Sequence, residues 1–126
     1  MPLSARSPDA PADLRPLVER RLRALAVAEL PSRVHQLAAD HGLAVGRVQV
    51  RNQRSHWGSC SSGGTIALNW RLVQMPPWVS DYVVLHELMH LREPNHSRGF
   101  WYLVARVCPG HQEARAWLKA HQEALR

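Results

Sequence analysis

His86-Glu87-Leu88-Met89-His90, preceded by Asp81-Tyr82-Val83-Val84-Leu85 and followed by Leu91, decides how the rest of this 126-residue chain is read. Positions four apart stack on one face of an α-helix, so His86 and His90 would present two imidazoles that one tetrahedral metal ion can bridge. Glu87 sits beside the first histidine but turns off the histidine face, which suits a proton acceptor better than a ligand. His96 follows six residues after His90. Pro94 between them cannot continue the helix and pushes Glu93 toward extended backbone, so the chain can turn back toward the metal. Three protein ligands leave one tetrahedral position open, the arrangement of a catalytic zinc site and not of a closed structural one.

Composition argues that this pattern is not an accident. With 8 His and 6 Glu in the chain, His-Glu-x-x-His arises by chance about 0.02 times per sequence, and about 0.001 times with the later histidine at its fixed position. The flanking residues are apolar nearly all round, which marks a helix buried in a core. Two histidines and a glutamate are costly there without a function.

Outward from this stretch, the length allows one domain with a single core. Residues 1–12, with Pro2, Pro8 and Pro11, are expected to be disordered, and 13–126 to form the domain. Asp13 reads as an N-cap, with Leu14, Leu17, Val18, Leu22, Leu25 and Ala28 on one helical face and Arg20, Arg21 and Arg23 mostly on the other. Pro31 should break or kink this helix, leaving a second piece from Ser32 to a C-cap at Gly42.

Val45 to Asn52 and Ser55 to Ser59 read as strands, Ser61 to Gly64 as a turn, and Thr65 to Trp70 as a third strand by alternation and β-propensity. Pro77 is placed to start the metal helix, expected to run to Arg92. Two further helices follow, Ser97 to Cys108, stopped by Pro109-Gly110, and Gln112 to Leu125. The five Trp and the single Phe read as core filling.

The first residues hold no apolar run of signal-peptide length, and nothing later approaches a membrane span, so the expectation is a cytoplasmic protein. Cys60 and Cys108 are far apart and offer neither a disulfide framework nor a cysteine metal site. The net charge of +6 admits attraction to nucleic acid. Arginine is scattered rather than gathered, however, so any such contact is expected to be weak and non-specific.

Four blocks taken together, Arg54 to Cys60 (Arg-Ser-His-Trp-Gly-Ser-Cys), Ile66 to Leu72, Asp81 to Leu91 and Asn95 to Trp101, resemble the YgjP-like family of metal-dependent peptidases. The resemblance covers about residues 47 to 120. It implies an α+β, minimal zincin-like fold, a small sheet packed on an active-site helix with flanking N- and C-terminal helices. It also implies His86, His90 and His96 as ligands of Zn²⁺, with Glu87 as the catalytic residue. The family is similar to the SprT-like and Wss-type proteases, which cleave proteins crosslinked to DNA, but that analogy does not transfer a substrate. His56 stands where the family more usually has Arg, and Met89 where Cys is common.

The reading that follows is a zinc metallopeptidase that hydrolyses peptide bonds in protein substrates. A third ligand from a later helix, Glu113 or Glu123, is the alternative to His96. The oxyanion helper is open among His56, Tyr82, Tyr102, Arg98 and His111. The strand Thr65 to Trp70 is expected to offer an edge to an extended peptide. Two competing readings are a zinc-binding module without turnover, contacting nucleic acid or a protein partner, and a cysteine hydrolase built on Cys60. A base beside the ligand at Glu87 argues against the first, and no residue locates a base for the second.

Overall fold

The computed structural model describes residues 10–125, with side chains from Leu14 onward. In chain order the elements are helix α1 (Ala10–Asp40), strands β1 (Arg47–Arg51), β2 (Gly58–Cys60) and β3 (Thr65–Asn69), a 3-10 helix (Trp70–Gln74), and helices α2 (Pro77–Met89), α3 (Arg98–Val107) and α4 (His111–Leu125). The fold is α+β, as expected. Of residues 1–12, expected to be disordered, 1–9 lie outside the described residues and 10–12 open helix α1.

Helix α1 departs from the expected pair of helices. It begins at Ala10, ahead of Asp13, and runs unbroken through Pro16 and Pro31. A mid-helix proline costs about 3 kcal/mol. Ala26, Leu30, Val34, Leu37 and Ala38 are all buried at helical spacing around Pro31, and this packing outweighs the lost hydrogen bond. Near its start, residues of the expected apolar face stay open: Leu14, Leu17, Val18 and Leu25 are 40–50% exposed. The helix ends as expected, with Gly42 at φ +66° letting Leu43 N–H donate to Ala38 O at 2.8 Å.

The sheet order is β1-β3-β2, with β1 parallel and β2 antiparallel to β3. Strand β3 is therefore central, which corrects the expectation that it offers a free edge. Four of its five residues are buried. The edge strands are β1 and β2. Trp70 leaves the strand for the 3-10 helix because the Asn69 side chain caps that helix, accepting from Arg71 N at 3.0 Å.

Helix α2 packs on β2, α3 and α4, and α1 packs on β1 and the 3-10 helix. Ile66, Leu68, Leu72, Val79, Val84, Leu88, Phe100 and Val104 are 0–1% exposed and form one core between them. Of the tryptophans, Trp70 is buried while Trp78 is 51% exposed, so core filling does not describe them all.

Candidate metal centre

Helix α2 puts Tyr82, His86 and His90 at successive four-residue steps, and the structure uses all three together. Tyr82 Oη lies 3.2 Å from His86 Nδ1, and His90 Nδ1 donates to the Glu93 carbonyl at 2.9 Å. Each imidazole is thus held through Nδ1, which turns its Nε2 toward the same point. The chain leaves the helix at His90 and turns at Pro94. It then re-enters helix at Ser97, whose hydroxyl accepts from Phe100 N at 3.3 Å and donates to Glu93 Oε1 at 3.3 Å. Glu93 therefore orients His90 through its carbonyl and the start of α3 through its carboxylate. Between them His96 swings back: its Nε2 is 3.1 Å from His90 Nε2 and 3.3 Å from His86 Nε2.

These separations fit a metal. A tetrahedral ion with nitrogen ligands at roughly 2.0–2.1 Å requires nitrogen–nitrogen edges of about 3.3–3.4 Å. The three histidines could hold a metal ion, and among the described residues neither Glu113 nor Glu123 joins them. Aromatic rings set the imidazole planes. His90 stacks on the fully buried Phe100 at 4.3 Å, and His96 lies near-parallel to Trp101 at 5.9 Å. His96 is exposed, so the centre opens to solvent on that side.

Electrostatics follow from burial. Desolvation, with the neighbouring His90, His96 and Arg115, pushes His86 down to about 4, so it is neutral at neutral pH, the form of an imidazole that can bind a metal. Burial pushes Glu87 up to about 7 and Tyr82 up to about 12.

Beside the histidines a cavity of about 240 Å³ is lined by His56, Trp57, Gly58, Tyr82, His86 and Glu87, among others. Its upper rim is pinned from the sheet. Asn69, fully buried at the end of β3, donates to the Gln53 and His56 carbonyls at 2.6 and 3.0 Å, and its N–H donates to Trp57 O at 2.9 Å. This ties the Ile66 to Leu72 block to the Arg54 to Cys60 block and sets the second against helix α2. Sequence reasoning missed Asn69, although a polar residue closing an apolar strand is a signal for such a role.

Residues 3–121 match the YgjP-like, metallopeptidase domain. The chain belongs to the YgjP-like family. Its fold is similar to the crystal structure of the metallopeptidase zymogen of Pyrococcus abyssi abylysin, with a TM-score of 0.63 and 24% identity over 73% of this chain and 94% of that one. No curated protein matches the chain. The YgjP-like domain is thus of metallopeptidase type, and among its described residues no helix is long and apolar enough to cross a membrane.

Of the five oxyanion candidates, the YgjP-like domain brings His56 and Tyr82 to the cavity beside Glu87. Tyr82 is buried and engaged with His86. Tyr102 is 63% exposed and packs with Arg106, His111 lies by Trp101 with its Nδ1 buried and unpartnered among the described residues, and Arg98 starts α3. Cys60 is a poor nucleophile: its thiol faces the Ser61 carbonyl at 3.6 Å, and burial with the nearby Glu87 charge raises its pKa.

Proposed function

We propose that this YgjP-like domain is a zinc-dependent metallopeptidase that hydrolyses peptide bonds in protein or peptide substrates. In this reading His86, His90 and His96 are the metal ligands and Glu87 is the general acid–base. The observation that carries the reading is the convergence of three imidazole Nε2 atoms beside one buried carboxylate. Zinc suits three neutral imidazoles, and when bound it supplies Lewis acidity, lowering the pKa of water toward ~7 and polarising the scissile carbonyl.

The chain's own residues do the rest. Tyr82 and the Glu93 carbonyl hold the rings of His86 and His90 in their tautomers, with the proton on Nδ1. Glu87 takes the proton from the attacking water and returns it to the leaving amine. His56, at the rim of the same cavity, donates to the oxygen that gains charge on the carbonyl. An extended substrate adds to the free edge of β2, whose Gly58 lies against Glu87, so flexible protein segments are favoured. A reducing, cytoplasmic setting suits the two free thiols.

The test is metal analysis of the purified protein together with cleavage of an unstructured protein such as casein. One zinc per chain, with cleavage abolished by a chelator and restored by added zinc, is expected. Tightly held zinc with no turnover on any flexible substrate would instead make the domain a binding module.

A further inference from the structure

Trp101 does more than wall the histidines. Its indole contacts His86 at 5.6 Å and lies near-parallel to His96 at 5.9 Å, and the Arg115 guanidinium from α4 sits over the same indole at 4.5 Å. Arg115 therefore stands one ring away from two of the three imidazoles. Its charge reaches His86 and Tyr82.

A guanidinium lying on an aromatic ring uses its face and leaves its N–H groups in plane, where they form the fork that binds a carboxylate through two parallel hydrogen bonds. The ion pairs among the described residues are Arg23–Glu19 and Arg33–Asp81, both on other surfaces. Arg115 is in neither, and it is exposed. A cation held beside a metal centre without a protein carboxylate raises the local positive potential, which draws an anion to it.

We propose that Arg115, held in place by Trp101, is a specificity-determining residue that anchors a carboxylate of the bound peptide next to the metal centre. The ligand's identity as a peptide rests on the peptidase reading above. Two sources supply such a carboxylate, an acidic side chain flanking the scissile bond or the free C-terminus of the substrate. Both meet the same fork.

The test uses the full chain, zinc-loaded, as Glu87→Gln so that no peptide is consumed. Three fluorescent peptides share one unstructured sequence: one with Glu and an amidated C-terminus, one with Gln and an amidated C-terminus, and one with Gln and a free C-terminus. Fluorescence anisotropy at low salt gives their dissociation constants. The Glu peptide or the free-acid peptide should bind about tenfold or more tightly than the neutral one, the scale of a charge-assisted bidentate contact. Whichever does so names the source. Adding Arg115→Gln should abolish that preference, and Arg115→Lys should keep only part of it because the fork is lost. Zinc content and thermal midpoint are measured on each variant to show that the site is intact. Equal or undetectable binding of all three peptides, or a preference that persists in Arg115→Gln, overturns the anchor. Turnover by the parent chain is measured separately, so failure of the peptidase reading shows as absent cleavage whatever the peptides do in binding.

Discussion

Gly58 on edge strand β2 lies directly against Glu87. A methyl group added at position 58 would stand 3.0 Å from Glu87 Cγ and 3.2 Å from Leu68 Cδ2. The glycine is required by this close approach, since its φ is unexceptional. Gly58→Ala should push Glu87 off its position, because Leu68 is fully buried and has little room to give. A shift of a few tenths of an ångström should lower cleavage by about tenfold, less than the ~100-fold that a full ångström can cost. Overpacking should also cost about 1–3 kcal/mol of stability. Zinc content should be unchanged, and steady-state kinetics, thermal melts and metal analysis check the three statements. Parental activity in Gly58→Ala would mean that Glu87 is free to relocate.

His86→Ala, His90→Ala and His96→Ala should each lose most of the bound metal, since each removes one of three imidazoles. Glu113→Ala should keep it. Because zinc binds the folded site, the parent should gain about 2.7 kcal/mol of stability at a free zinc concentration 100 times its dissociation constant. The histidine variants should show little gain in the same thermal melts. Metal retained in His96→Ala and lost in Glu113→Ala would reverse the assignment of the third ligand.

Tyr82→Phe removes the oxygen that meets His86 Nδ1 and keeps the buried ring. The partner of a metal-ligating imidazole typically sets its tautomer and orientation, and its loss lowers affinity about 10–100-fold. Competition with a chromophoric chelator measures this. An unchanged affinity would show that Tyr82 does not orient the ligand.

The convergence of His86, His90 and His96 beside Glu87 was legible in the sequence because its geometry is local. Four-residue spacing on a helix and a proline before His96 are both readable without tertiary knowledge. The Tyr82 brace shares that spacing and could have been read, since Tyr82, His86 and His90 form one stripe. The sheet order was not legible: strand pairing joins segments distant in sequence, and alternation in Thr65 to Trp70 says nothing about which edge is covered. Pro31 misled for a related reason. Its local effect is to stop a helix, while the core contacts of Leu30 and Val34 that override it are tertiary. Asn69 and Arg115 escaped notice because each acts on residues far along the chain, Asn69 on the loop before β2 and Arg115 on Trp101.

Cys60 provides a check on the site that does not depend on activity. Burial, and then the Glu87 charge, hold its thiol pKa above the ordinary value, so it should be mostly protonated at neutral pH and react slowly. In a Cys108→Ser background, alkylation by iodoacetamide should be slower than for free cysteine at pH 7 and should rise with pH beyond the range where free cysteine levels off. Fast labelling at pH 7 would contradict this environment and revive a nucleophilic role for Cys60.

In the proposed mechanism Glu87 moves the proton while the three histidines hold the metal, and Glu87→Gln separates the two roles. The change keeps side-chain size and removes the carboxylate, and Glu87 is not among the three converging histidines. The decisive measurement is zinc content and cleavage rate of Glu87→Gln beside the parent, on a substrate that the parent demonstrably cuts. Glu87→Gln should keep full zinc and a folded protein and cut at a rate lower by at least ~100-fold, the scale of positioned acid–base catalysis. Full zinc with near-parental cleavage would contradict this mechanism.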